Sequence, residues 1–184
     1  MSTGLRWHRH GSSAAEIAGL PVVTAAEMRK AEGALFARGV PSFDVMAAAG
    51  HAVAEAIFAR WPDRFRRALV LAGPGNKGGD GFSVARELAA RGWDVHVAAA
   101  RSIDSYEGDA ARAAALWGGK PARLEPGALA RLDAGDCLVV DGIFGIGLAR
   151  AVEGEIKGVI QALHGRPCPV VAVDVPSGID ADTG

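Results

Sequence analysis

The sequence predicts an α/β domain, with a mostly parallel sheet enclosed between two layers of helices. Three observations carry that expectation. Short, largely apolar runs at Ala68–Ala72, Asp94–Ala100, Cys137–Val140 and Pro169–Val173 alternate with segments whose apolar residues recur every three or four positions. Between the first run and the next such segment stands Gly73-Pro74-Gly75-Asn76-Lys77-Gly78-Gly79-Asp80-Gly81, with five glycines in nine residues. Such a stretch cannot build a core, so it reads as a turn whose backbone N–H groups approach a ligand. Two later runs each end in an aspartate, Asp141 and Asp174, and a loop containing glycine follows.

Composition narrows the partners. With 184 residues, 49% of them hydrophobic, the chain has material for one ordinary core and one domain. A net charge of -1, a pI near 6.5 and the lack of any Lys/Arg block give no pull toward nucleic acid or an anionic membrane, which favours a small-molecule partner. Cys137 and Cys168 have neither CxxC nor Cys/His spacing and read as reduced core residues. Residues 1–20 lack a signal-peptide apolar core and read as a disordered tail, so a cytoplasmic location is expected. No apolar run is expected to reach membrane-spanning length.

The elements follow in order. Thr24-Ala25-Ala26-Glu27 is a capping box opening a helix to about Arg38, with Met28, Ala31 and Leu35 on one stripe and Gly39 as its stop. That stripe suits either a homodimer or a core. A second helix from about Ser42 places Phe43, Met46, Ala54, Ile57 and Trp61 on its inner face, with His51 off it. Arg64–Arg67 forms a solvated rim ahead of the first strand, Ala68–Ala72. Phe82, Ala85, Leu88 and Ala89 mark a helix after the glycine stretch, and Asp94–Ala100 the second strand, completing a βαβ unit. Glu107–Trp117 is a helix and Ala122–Leu124 a short strand. Pro126 begins a brief helix through Leu132. The strand Cys137–Val140 ends in Asp141, a helix spans Gly154–Leu163, and the buried strand Pro169–Val173 ends in Asp174.

This alternation gives a Rossmann-like three-layer α/β/α architecture with its ligand beyond the carboxyl ends of the strands. The sequence stops at Asp182-Thr183-Gly184 inside a loop, as a domain truncated at its C-terminus would. Gly73-x-Gly75-x-x-Gly78 satisfies a dinucleotide fingerprint, but the second strand ends in alanines and Arg101 where an acid would hold the adenine ribose. Asp80 repels phosphate, so it either caps the helix or binds hydroxyls and amides. Asp141 and Asp174 either cap the turns after their strands or act together at the mouth of the sheet, with Ser177 and Asn76 as further hard oxygen donors for an alkali or alkaline-earth ion. One of the carboxylates then serves as a general acid/base.

The three stretches Gly73–Gly81, Asp141-Gly142-Ile143-Phe144-Gly145-Ile146-Gly147 and Asp174-Val175-Pro176-Ser177-Gly178-Ile179-Asp180 resemble the motifs of the NAD(P)H-hydrate epimerase family, the YjeF N-terminal domain. The opening helices, Thr24–Met28 and Pro41–Gly50, resemble that family's beginning, so the likeness covers about Val22 to Gly184. It implies an isomerase that interconverts the R and S forms of hydrated NADH or NADPH at C6 of the nicotinamide ring, a metabolite repair step, with a fused or separate dehydratase as partner. It also implies that Asn76, Lys77, Gly78, Gly79 and Asp80 line the dinucleotide site. Gly145, Ile146, Gly147, Leu148, Ala149, Arg150 and Ala151 would hold the phosphates, and Asp174 would act on the ring. Asn76, Asp141 and Ser177 would bind a potassium ion.

One position departs from the family. It has two adjacent asparagines in the first loop, and here the second is Lys77. Either the Lys77 ammonium replaces the monovalent ion or competes with it, or Lys77 faces solvent and only its backbone matters. The other functions open to this fold are a non-catalytic binding or scaffold module and an NAD-dependent dehydrogenase. Asp141, Asp174 and Ser177 together argue against the first, and the missing ribose acid argues against the second.

Overall fold

The computed structural model describes residues 23–134 and 136–184, without the side chains of 133 and 134. The tail expected over residues 1–20 lies outside them. Five parallel strands form one sheet: β1 (Arg67–Ala72), β2 (Asp94–Ala99), β3 (Ala122–Arg123), β4 (Cys137–Gly142) and β5 (Val170–Ala172), in the order β3-β2-β1-β4-β5. The helices are α1 (Ala25–Ala37), α2 (Ser42–Arg60), α3 (Asn76–Ala90), α4 (Gly108–Trp117) and α5 (Gly154–Leu163), with short 3₁₀ turns at Ile103–Ser105 and Pro126–Ala134.

The alternation of side chains along β1 builds the two faces. Ala68, Val70 and Ala72 point into a core shared with α2, α3 and α4, where Phe82, Ile57 and Leu88 are fully enclosed. Leu69 and Leu71 point the other way, onto Leu129, Leu132 and Val159 of the second 3₁₀ turn and α5. Being apolar on both faces is what a central strand requires. The strand order reverses between β1 and β4, so the crevice of the fold opens where the glycine stretch leaves β1 and the second loop leaves β4.

Several expectations change. The glycine stretch is not a turn for most of its length: α3 begins at Asn76, and Gly78, Gly79 and Gly81 lie within its first turns. None of them has a positive φ. Their lack of a side chain serves contact instead, because a Cβ on Gly79 would sit 2.7 Å from the Met46 sulfur and 2.9 Å from the Ala110 Cα. Asp80 does not cap this helix; Gly75 holds the N-cap position without a side-chain bond.

Helix α1 has the expected capping box, but its stripe does not face a core. Only Ala25 is buried, and Met28 is 41% exposed. Five of its apolar residues are alanines, which bury little surface, and α1 is tied to the domain from its N-terminal half through Ala25 N–H donating to Asp182 (2.8 Å) and Arg29 donating to the Ile146 carbonyl (3.2 Å). Helix α2, at 19 residues and mean hydropathy 1.2, is long and apolar enough to cross a membrane, contrary to expectation. Its Phe43, Met46, Ala54 and Ile57 are spent on the domain core. Strand β5 is shorter than expected and lies at a sheet edge, which leaves Val170 exposed rather than buried.

The basic rim is only partly solvated. Arg67 bonds Asp136 at 2.9 Å and lies 3.5 Å from Asp94 across the start of the sheet, and Phe65 enters the core. His51 is exposed and meets Glu87 at 3.2 Å. Both cysteines are free thiols, Cys137 buried and Cys168 partly so.

Candidate functional site

Every strand in a parallel sheet delivers its carboxyl end to the same side, so residues distant in sequence meet there. A cleft of about 890 Å³ opens at that side, over the ends of β1, β4 and β5. One wall is the N-terminus of α3, a second is the loop after β4, and Asp174 after β5 closes the third. Glycine makes this junction possible at two places. A Cβ on Gly73 would run into the Ile143 carbonyl, and a Cβ on Gly145 would run into the Asp174 carboxylate. The β4 loop can therefore lie flat against both neighbours.

Two polar clusters form at this mouth. The first is ionic. The Lys77 ammonium lies 2.9 Å from Asp80 Oδ2 and 3.4 Å from Asp174 Oδ2. The same Asp174 oxygen accepts the Ile146 N–H at 3.0 Å. Burial works against the Lys77 charge, but the carboxylates of Asp80 and Asp174 outweigh it and raise Lys77 above its ordinary 10.5. Asp80 is itself raised, because its burial, with repulsion from Asp174 and Glu32, outweighs the attraction of Lys77. Lys77 is thus no solvent-facing lysine; its side chain is 32% exposed and bridges two acids.

The second cluster is a closed knot. Asp141 lies inside β4, paired with Leu71 and Ala172, rather than after the strand as expected. Its Oδ1 accepts the Ser177 hydroxyl (2.6 Å) and the Ile143 N–H (3.2 Å), and its Oδ2 accepts the Ser177 N–H (2.8 Å). The Ser177 oxygen in turn accepts the Phe144 N–H at 2.9 Å. Both side chains are buried. The knot ties the loop after β4 to the loop after β5, which fixes Asp174 three residues before Ser177.

The residues named from sequence are placed as follows. Asn76, Lys77, Asp80, Gly145, Ile146, Gly147, Leu148, Ala149, Arg150 and Asp174 line the cleft. Gly78 and Gly79 are buried beneath it, and Ala151 lines a smaller recess of about 320 Å³ beside it. Of the three expected ion ligands, Asp141 and Ser177 are bonded to each other. Asn76 is exposed at the start of α3 and bonds neither.

Sequence reasoning missed the fourth wall. Met28, Arg29, Glu32 and Phe36 of α1 line the cleft. The signal was present: Met28, Glu32 and Phe36 recur every four residues and so share one helix face.

Against this geometry, the likeness to known proteins is extensive. The family described as YjeF-related protein N-terminus matches residues 42–184. The chain belongs to this family. It is 40% identical over 173 residues to the NAD(P)H-hydrate epimerase of Rhodobacter capsulatus, covering 88% of this chain and 78% of that one. It is 39% identical over 165 residues to the bifunctional NAD(P)H-hydrate repair enzyme Nnr of Thermosynechococcus vestitus, covering 89% of this chain and 32% of the relative. The chain therefore spans about a third of that bifunctional family member. The crystal structure of yeast YNL200c superposes with a TM-score of 0.79 at 26% identity, over 90% of this chain and 74% of that one.

Proposed function

We propose that the chain is an isomerase that interconverts the R and S forms of hydrated NADH and NADPH at C6 of the nicotinamide ring, a repair step that supplies the epimer a fused or separate dehydratase consumes. The observation that carries this reading is the placement of Asp174, which lines the cleft with its Oδ2 held by Lys77 and the Ile146 N–H. The names of the relatives support it.

Inverting a ring carbon that bears a hydroxyl beside nitrogen needs two things. The departing oxygen must gain a proton as its carbon–oxygen bond breaks, and the ring cation left behind must be stabilised until water returns to the opposite face and gives its proton back. A carboxyl group at the ring performs both, as proton donor and then as the anion facing the cation. On this reading Asp174 takes that position. Lys77 fixes its orientation and bridges it to the buried Asp80, whose pKa burial raises. The α3 N-terminus and the backbone of Gly145–Arg150 form the wall suited to the pyrophosphate.

Potassium, implied by the family resemblance, fits these residues poorly. Three of the roughly four lone-pair directions of the Asp141 carboxylate are taken by protein donors, Ser177 is engaged on both sides, and Asn76 stands apart. Lys77 places a fixed cation between the two cleft acids, with Arg29 and Arg150 also lining the cleft.

Incubating the protein with one purified epimer of hydrated NADH and following the mixture by chromatography tests the reading. Conversion to the equilibrium mixture is expected. Dinucleotide binding without conversion would assign the fold to a non-catalytic module.

A further inference from the structure

The cleft does not end at Arg150. It shares Pro74, Phe144, Leu148 and Arg150 with the 320 Å³ recess, which shares Glu153 and Ile156 with a third of about 760 Å³ at the carboxyl ends of β2 and β3. The three therefore form a row of adjoining recesses along the carboxyl edge of the sheet. From β5 to β2 the row crosses three strand intervals, roughly 14–15 Å at the usual spacing, which is the scale of an extended dinucleotide.

The polarity of a bound dinucleotide follows. Asp174 sets the nicotinamide end over β5, and the reversal of strand order between β1 and β4 sets the pyrophosphate where the cleft meets the middle recess, at Leu148 and Arg150. The adenosine end then falls in the third recess. Immediately after β2, where an acid binds the ribose diol in NAD sites, stands Arg101, with Lys120 on the approach to β3. Arg101 and Lys120 are exposed, line this recess and form no ion pair among the described residues. Arg123, the third cation there, is held by Glu155 at 2.6 Å. Asp104 and Glu153 also line the recess, so it is no general anion trap; its attraction for a phosphate is local to Arg101 and Lys120.

We propose that this recess takes the adenosine 2′-phosphate, with Arg101 as its main contact and Lys120 as a second, so that the chain favours the phosphorylated dinucleotide. The substrate assignment rests on the epimerase reading, while the subsite itself is testable apart from it. A guanidinium meets a phosphate through paired charge-assisted hydrogen bonds, so about a tenfold preference is expected. Calorimetry with 2′,5′-ADP and with AMP measures it by binding. The ratio of kcat/KM for hydrated NADPH to that for hydrated NADH measures it by turnover. Arg101→Ala is expected to bring both ratios close to one, and Lys120→Ala to lower them less. A wild-type ratio at or below one in both assays, or ratios unmoved by Arg101→Ala, overturns the proposal. Epimerisation without any preference sinks the subsite alone. Arg101-dependent preference for 2′,5′-ADP in a protein that epimerises neither form upholds the subsite and sinks the epimerase reading.

Discussion

Asp141 and Asp174 leave adjacent parallel strands at the same end of one sheet, yet their surroundings give them opposite uses. Asp141 is buried and answers three donors from its own chain, so its charge is consumed in joining two loops. Asp174 lines an open cleft and answers two donors, one ammonium and one N–H, both at its Oδ2. Proximity to a site does not make a carboxylate catalytic. What separates the two is how many of its lone pairs the protein has already claimed.

The sharpest way to break this contrast is to neutralise each acid in turn. Asp174→Asn keeps the shape and is expected to lower epimerisation by about 10³-fold, within the range for a lost general acid/base, while changing stability by less than about 1 kcal/mol. Single-epimer conversion and urea unfolding measure the two quantities. Wild-type turnover in that variant would remove Asp174 from the chemistry. Asp141→Ala should do the reverse. Three buried donors lose their acceptor, at about 1 kcal/mol or more each, so a loss of about 3 kcal/mol is expected in the urea midpoint. Unchanged stability would mean that the knot does not carry the loops.

Much of the fold was legible because it rests on periodicity. Runs such as Leu69-Val70-Leu71 declare a strand covered on both faces, and the Thr24–Glu27 box declares a helix start. The site was legible in its members but not in their roles. An aspartate near the end of a strand looks the same whether it ties down a loop or faces a ligand, and only the partners of Asp141 and Asp174 tell them apart. The glycine stretch misled for a related reason. Glycine is permissive in turns and also permits close packing of a helix, and here Gly79 serves the second purpose under Met46 and Ala110. Helix α1 misled because the face that meets the cleft carries Met28, Arg29, Glu32 and Phe36, and of the expected stripe only Met28 lies on it.

Lys77 sharpens the contrast further, since it supplies a fixed cation to the open carboxylate and none to the closed one. The wild-type rate and melting temperature are expected to be the same in potassium chloride as in choline chloride at equal ionic strength. A potassium-specific rise in either would show that an ion is needed as well. Lys77→Gln leaves the buried Asp80 without its counter-charge, for a loss of about 2 kcal/mol at neutral pH. That lies below the value for a fully enclosed pair, because Lys77 is partly exposed and Asp80 can take up a proton.

The smallest effect tests whether the scaffold beneath the open wall is as firm as the knot beneath the closed one. Tyr106 is buried and donates its hydroxyl to the Gly73 carbonyl at 2.8 Å, holding the exit of β1 just before α3 begins. Tyr106→Phe removes that bond and should cost about 1 kcal/mol, or roughly 2–4 °C in melting temperature for a domain of this size. Burial lifts the phenol from 10.0 to about 12, so the folded chain keeps this proton more tightly than the unfolded one. The contribution is therefore whole below pH 10 and is lost as pH rises toward about 12, amounting to about 2.7 kcal/mol across two units. Cys137, raised by burial to about 11, titrates in part of the same window, but it does so in both proteins and cancels in the comparison. Urea unfolding between pH 9 and 11.5 should then show the wild-type advantage of about 1 kcal/mol over Tyr106→Phe disappear between pH 10 and 11 and reverse above that. Parallel curves would mean that the phenol is not held at the β1 exit, and the open wall would have lost its anchor.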